Sequence, residues 1–331
     1  MYNDIRNGNN EQEDFDMKYG FGIDLGGTTV KLAYFDQAGT MLDKWEIPTR
    51  TENGGEKILP DIAASVQEYL VKHQISRGDI IGLGIGVPGP VDGKGVVNGC
   101  VNLGWGSFNV SATLSELTGF PVMAGNDANV AALGEYWKGG AQGCDNMMMV
   151  TLGTGVGAGI VVDGRVVHGT HGAGGEVGHM VINPLETEHA ANGDCGTVEQ
   201  YCSATGVVFL AKRALAACSS DSVLRRKDNF TCKDVFDAAA AGDSLAAQVL
   251  EQVYGYLGLF LAAVCCTVDP EAVVIGGGVS RAGEPLLEGL SRYYKKYAFH
   301  AVKDVRFALA SLGNDAGAYG AFKLALSEYG E

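Results

Sequence analysis

The chain has 331 residues, a length that suits about two domains and buries a core without disulfide or metal staples. Hydrophobic residues make up 46% and charged residues 19%, which argues for a folded chain; its 49 glycines, about twice the usual share, cluster without a collagen period. With 39 acidic against 24 basic residues the net charge is −15, a field that opposes binding to a nucleic-acid backbone.

Residues 1–18 are polar and acidic and are expected as a disordered tail, with no secretory leader among them. Order is expected from Tyr19. Gly20–Tyr34 is apolar and β-branched around Gly26-Gly27, Asp36–Gly39 reads as a turn, and Met41–Ile47 as the next strand. Ile62–Val71 has helical spacing after a Pro60-Asp61 start, and Ile80–Val87 reads as a buried strand. A short helix over Ser111–Leu117, a strand over Pro121–Ala124 and a helix over Ala128–Trp137 follow. The domain boundary falls near 126–134, with no Pro/Ser-rich linker.

A second cycle starts with a strand at Met147–Leu152 and a hairpin over Ile160–Val167 around Asp163-Gly164. Helices are expected at Ala204–Ala217, Lys233–Ala240 and Ser244–Thr267, a strand at Glu271–Ile275 and a last helix at Ala316–Ser327. The apolar run Val253–Val268 is shorter than the ~20 residues of a membrane span and is expected as a buried core helix, so no membrane partner is expected. The eight cysteines show neither CxxC pairs nor a disulfide spacing and predict free thiols in the cytoplasm. Sequons at Asn109 and Asn229 are read as chance. Alternating strands and helices give an α/β protein.

Three glycine clusters follow strands. In Asp24-Leu25-Gly26-Gly27-Thr28-Thr29, glycines let backbone N–H groups converge on phosphate, the hydroxyls add donors, and the carboxylate can hold a hydrated Mg²⁺; a plain hairpin turn is the competing reading. Gly153–Gly157 follows the second cycle's first strand, and Gly276–Gly278 can let an adenosine approach the backbone or simply pack a helix start. The candidate phosphate- or nucleotide-binding residues are Asp24, Gly26, Gly27, Thr28, Thr29, Lys31, Thr154, Gly155, Gly277 and Gly278. There is no Walker A sequence. Gly84–Gly89 matches G-x-G-x-x-G, but Pro88 and Pro90 block the helix that dinucleotide binding needs. Asp127, between a strand and a helix, reads either as the base for an attacking hydroxyl or as a helix N-cap. Glu176 and His179, three apart in a glycine-rich segment, can bind sugar hydroxyls or form a surface turn. Glu199 and Asn102 are further polar candidates.

Together these stretches resemble the ROK family of sugar kinases in the actin-like ATPase superfamily. The resemblance runs from about Tyr19 to the C-terminus and rests on Asp24–Thr28, Pro88–Asp92, Asn102–Trp105, Asn126–Asn129, Gly153–Gly157, Gly175–His179, Glu199–Gly206 and Gly276–Gly278. The Asn102–Trp105 and Glu199–Gly206 stretches are most similar to the family's bacterial glucokinases. The resemblance implies a ribonuclease H-like two-domain fold with an interdomain cleft. Residues 19–126, completed by a helix at 315–331, would form a small α/β domain and 127–314 a large one. It also implies a homodimer that takes a hexose and ATP with Mg²⁺. Asp127 matches the catalytic base; Gly89, Asn102, Asn126, Asp127, Glu176, His179 and Glu199 match substrate-binding positions.

One motif departs from the family. Members usually carry a zinc sequence C-x-C-G-x-x-G-C-x-E with the histidine after Gly178 as fourth ligand. Here residues 189–199 contain a single cysteine, Cys195. His179, His189, Cys195 and Cys202 do not follow the family spacing, with His179 and Cys195 the nearest candidates. Zinc is expected to be lost and the Glu199 loop to be held by packing alone. The activity implied is transfer of the γ-phosphoryl of ATP to the 6-hydroxyl of glucose. An N-acylmannosamine kinase, a fructokinase or a sugar-binding regulatory protein are the alternatives. A DNA-binding repressor is set aside for its charge and for want of a helix-turn-helix before Tyr19.

Overall fold

The computed structural model describes residues 17–190 and 192–330. Most of the expected acidic tail, residues 1–16, lies outside them. The first part holds β1 (Tyr19–Leu25), β2 (Thr29–Asp36), β3 (Met41–Pro48), the single turn α1 (Glu52–Gly55), α2 (Ile58–His73), β4 (Ile80–Val87), β5 (Val96–Cys100), β6 (Trp105–Asn109), α3 (Val110–Thr118) and β7 (Val122–Asn126). The second holds α4 (Asp127–Lys138), β8 (Met147–Leu152), β9 (Val156–Val162), β10 (Arg165–Val166), α5 (Val198–Cys202), α6 (Ala204–Ala217), α7 (Cys232–Ala240), α8 (Ser244–Val268), β11 (Ala272–Gly276), α9 (Glu284–Tyr297), β12 (Arg306–Leu309) and α10 (Ala316–Tyr329).

Two five-stranded sheets share one plan, ordered β3-β2-β1-β4-β7 and β10-β9-β8-β11-β12. Each is an antiparallel three-strand meander extended by two parallel strands on its first strand. Strand alternation builds a core on each face. In the second sheet, Met148, Val150 and Leu152 enter the large core shared with α6 and α8, while Met147 and Met149 face α4 with Val274. In the first, Phe21, Ile23, Leu83 and Ile85 face α2 and α3, while glycines alternate with them on the opposite face.

That face accounts for Gly84 and Gly86 of the G-x-G-x-x-G match, while Gly89, at φ +111°, belongs to the turn after β4. A Cβ at Gly22 would lie 2.0 Å from the Ala318 carbonyl oxygen, and one at Gly84 1.6 Å from that of Ala321. The glycines bring α10 down onto β1 and β4. So the last helix packs on the first sheet, α4 packs on the second, and the two helices cross each other between the sheets. The crossing is backbone to backbone: a Cβ at Gly320 would sit 1.5 Å from the Val130 carbonyl oxygen, and one at Gly134 2.2 Å from that of Ala316. Gly320→Ala should therefore force the helices apart and lower stability by about 2 kcal/mol, as overpacking does. The urea midpoint reads this, and an unchanged midpoint would show that the crossing is slack.

Most elements fall where the sequence reading puts them, with shifted ends. The helix expected from Ile62 starts at Ile58 and takes Pro60 into its first turn, where no N–H is needed. The strand expected to end at Ala124 continues to Asn126, and the second glycine turn ends at Gly155, because Val156 and Gly157 already pair in β9. Gly276 likewise belongs to β11. The Asp163-Gly164 hairpin is present, with both residues at positive φ. The β5–β6 pair, α5, α9 and β12 were not anticipated. The 25-residue α8 is long and apolar enough to cross a membrane, but Val253, Leu257, Phe260 and Leu261 are fully buried in the core.

Candidate active site

Asn126 ends β7 with extended backbone, and its side-chain oxygen accepts from the Asn129 N–H at 3.1 Å. Its Nδ2 donates to the Gly89 carbonyl at 3.0 Å, which fixes the turn after β4. Asn126 is thus the cap of α4. The reading of Asp127 as the cap is corrected: Asp127 is the next residue, and its carboxylate opens onto a cavity. Surrounding protein strips water from that carboxylate and raises its pKa; Asp24 and Glu176 add to the rise, against a 2.8 Å hydrogen bond from the Ala128 N–H.

The cavity, about 550 Å³, lies between the two sheets. Asp24 and Lys31 line it from β1 and β2, Asp127 from the start of α4, and Gly277, Gly278 and Arg281 from the segment after β11. Asp24 and Lys31 are register partners on β1 and β2, and Lys31 Nζ donates to Asp24 Oδ2 at 3.4 Å. The turn between them is closed by Gly26 N–H donating to Thr29 O at 3.1 Å and by Thr49 Oγ1 donating to Gly26 O at 2.7 Å. Gly26, Gly27, Thr28 and Thr29 form this turn, beyond the residues that line the cavity; a side chain at Gly27 would meet nothing, so the turn's outer face is open. Gly277 has φ +80°, and a Cβ there would strike the Leu152 backbone at 2.5 Å. Only glycine lets the β11 loop cross the end of β8 this closely.

The β8–β9 turn is the second sheet's counterpart. The Ala204 N–H donates to the Gly153 carbonyl at 2.8 Å, and Thr205 Oγ1 to the Thr154 carbonyl at 2.9 Å, so the start of α6 holds it. Glu199 on α5 reaches under the turn, where its Oε2 accepts from the Val156 N–H at 2.9 Å. A Cβ at Gly155 would lie 2.3 Å from that oxygen, so Gly155 is needed for the approach. Thr154 and Glu199 line a neighbouring cavity of about 330 Å³.

Glu176 and His179 lie on the loop after Gly172–Gly175, with His179 Nε2 4.0 Å from Glu176 Oε2. The Asp194 carboxylate, 2.8 Å from His179 Nδ1, raises the imidazole's pKa. Asn102 is displayed at an exposed single turn, anchored by buried Leu103 and by Trp105, whose Nε1 donates to the Gly55 carbonyl at 3.3 Å. The structure joins Gly89 to Asn126, and Glu199 to Gly155. It ties Asn102 to none of the others directly.

The sequence profile of the ROK family matches residues 20–328. The chain belongs to the ROK family. A glucokinase of Halalkalibacterium halodurans is 42% identical over 304 residues, covering 90% of this chain and 92% of that one. The ROK hexokinase of Thermus thermophilus superposes with a TM-score of 0.78 at 32% identity, covering 94% of this chain and 98% of that one. A ROK glucokinase of Streptomyces griseus, solved with glucose and AMPPNP, gives 0.70 at 30% identity over 94% of this chain and 99% of that one. Similarity at this level fixes the α/β architecture and makes the chain a hexokinase/glucokinase-type member of the family.

The ROK zinc site is a different matter. Aligned on Gly193, Gly196 and Glu199, the motif's three cysteine positions fall on Ala190, Asn192 and Thr197, so Cys195 is not one of them. Cys195 Sγ instead turns to the Glu186 carbonyl at 3.2 Å, Cys202 is fully buried in the core, and His189 Nδ1 sits 2.8 Å from the Gly193 carbonyl. Among the described residues no three His, Cys, Asp or Glu side chains come together as a metal would need. These residues do not fit zinc. Nor is the segment held by packing alone, which corrects the expectation above. Gln200 accepts from the Gly196 N–H at 2.5 Å and donates to the Glu188 carbonyl at 2.6 Å. Arg213 donates to Glu186 at 2.7 Å and holds that carboxyl well below the usual range. Asn192 and Asp194, which sequence reasoning did not single out, complete the hydrogen bonding.

Proposed function

We propose that the chain transfers the γ-phosphoryl of ATP to the 6-hydroxyl of a hexose, with glucose as the preferred acceptor, in the cytoplasm. The observation that carries this reading is Asp127. It is released from capping by Asn126 and lines the cavity beside Asp24, Gly277 and Gly278, where burial and the Asp24 and Glu176 charges raise its pKa. The hexose takes the Glu176, His179, Glu199, Asn102 and Asn126 side, with the Gly89 backbone beside it. The nucleotide takes the cavity between Asp24–Lys31 and Gly277–Gly278, with Gly26, Gly27, Thr28 and Thr29 and then Thr154 and Gly155 turned to its phosphates. Asp24 and Asp127 are the carboxylates lining that cavity, the hard oxygen donors Mg²⁺ takes. When bound, Mg²⁺ neutralises charge on the phosphoryl oxygens.

Asp127 orients the 6-hydroxyl and accepts its proton as the bond to phosphorus forms. A water-excluding closure of the two halves keeps solvent from competing as acceptor. Turnover of glucose, N-acetylmannosamine, N-acetylglucosamine, mannose and fructose with ATP tests the reading. Glucose leading by about tenfold in kcat/KM, the step worth ~1.4 kcal/mol, supports it. An acylated amino sugar in the lead removes the glucose assignment, and no turnover of any removes the kinase.

The raised Asp127 pKa gives a pH signature. The base works ionised, so activity falls as pH drops through its pKa. That limb of kcat/KM should lie above the ~3.9 of an unperturbed aspartate. An acid limb at or below that value would show that Asp127 is not the titrating base.

A further inference from the structure

The segment where ROK relatives bind zinc contains a different device. Asn192 stands where the motif has its second cysteine. Its Nδ2 donates to Glu199 Oε1 at 3.1 Å and to Asp194 Oδ2 at 3.2 Å, while its Oδ1 accepts from the Asp194 N–H at 3.0 Å. Asp194 Oδ2 in turn lies 2.8 Å from His179 Nδ1. One continuous chain of hydrogen bonds thus runs from His179 through Asp194 and Asn192 to Glu199. It spans the two loops that a zinc ion bound by His179 and the cysteine segment would join.

We infer that Asn192 and Asp194 are positioning residues, forming a metal-free clasp that holds His179 and Glu199 in register for the sugar. The chemistry suits the task. A carboxylate partner on one imidazole nitrogen fixes the ring plane and turns the other nitrogen toward Glu176. The amide of Asn192 is neutral and can bridge two carboxylates, Asp194 and Glu199, that would otherwise repel. Both hydrogen bonds have a charged partner, the stronger class. Asn192 is exposed and Asp194 half-buried, and neither belongs to the core, so the clasp does not act by filling it. The inference rests on reading His179 and Glu199 as sugar contacts.

The test uses the full chain. Purified protein is analysed for zinc, and KM and kcat are measured for hexose and ATP in wild type, Asn192→Ala and Asp194→Asn, with and without 1,10-phenanthroline. No stoichiometric zinc is expected, nor any effect of the chelator. Either substitution should raise the hexose KM about tenfold, the scale of one charge-assisted hydrogen bond, with the ATP KM and kcat changed little. Asp194→Asn keeps the side chain's shape and serves where Asn192→Ala fails to fold. One zinc per chain, or an unchanged hexose KM in both variants, overturns the clasp. If wild type phosphorylates no hexose, the kinase reading falls. The clasp is then decided by hydrogen exchange over residues 190–199: faster exchange in Asn192→Ala supports it, and equal exchange overturns it.

Discussion

Asp127→Ala should lower kcat by roughly 10²–10⁴-fold, the range of general acid–base catalysis, while hexose affinity changes far less. The same substitution should leave stability within about 1 kcal/mol of wild type. Removing a capping aspartate costs ~0.5–2 kcal/mol, but the α4 cap is Asn126, whose side-chain oxygen holds the Asn129 N–H at 3.1 Å. Asp127 does gain from the helix dipole at the first position of α4. It also faces the charges of Asp24 and Glu176, which disfavour its ionised form. Removing it relieves that repulsion, so the two effects offset. Asp127→Asn, which keeps the shape and cannot take a proton at neutral pH, should be as inactive as the alanine variant. An active asparagine variant would leave Asp127 an orienting role only. A variant that loses both activity and stability would return it to the capping role.

The elements and the acid–base candidate were legible in the sequence because each depends on local pattern. Ile80–Val87 is apolar throughout and is a central strand with both faces buried; Asp163-Gly164 specifies its own turn. Glycine was harder to interpret. The same residue builds the Gly277 loop, the Gly155 approach to Glu199 and the Gly22 and Gly84 seat of α10, and the sequence does not say which partner comes close. For Gly22 and Gly84 it is settled only by α10 returning from the far end of the chain. The missed helix α9 had a usable signal: Gly283-Glu284-Pro285, then Leu286, Leu287, Leu290 and Tyr294 at helical spacing. The strand β12 had little, being four residues with an exposed start. The Asn192–Asp194 bridge could not be read at all. Asn and Asp beside a glycine spell a turn in any sequence, and their partners His179 and Glu199 arrive from other elements.

Glu135 is the residue whose loss should cost the fold most. It is fully buried on α4, and in the sequence it is one more helix-forming glutamate. Its Oε2 accepts from the Gly140 N–H at 2.7 Å and the Ser311 N–H at 3.0 Å, and its Oε1 from the Leu312 N–H at 2.8 Å. One carboxylate therefore ties the loop leaving α4 to the loop that enters α10, the two places where the chain passes between the sheets. Glu135→Ala strips three backbone donors of their acceptor. At ~1–3 kcal/mol for each donor left unsatisfied, and with partial access of water to Ser311, a loss of about 3–4 kcal/mol is expected. That is a sizeable part of the ~5–15 kcal/mol that holds a domain folded. The effect should also reach the cavity, because Gly313 and Asn314, which follow the anchored Leu312, line it. We expect the ATP KM to rise more than the hexose KM. Glu135→Gln, which keeps one acceptor oxygen but turns an NH₂ toward backbone donors, should fall between wild type and alanine. Denaturant midpoints of the three proteins check the order; an alanine variant as stable as wild type would mean that the two loops are held by packing around α4 and α10 instead.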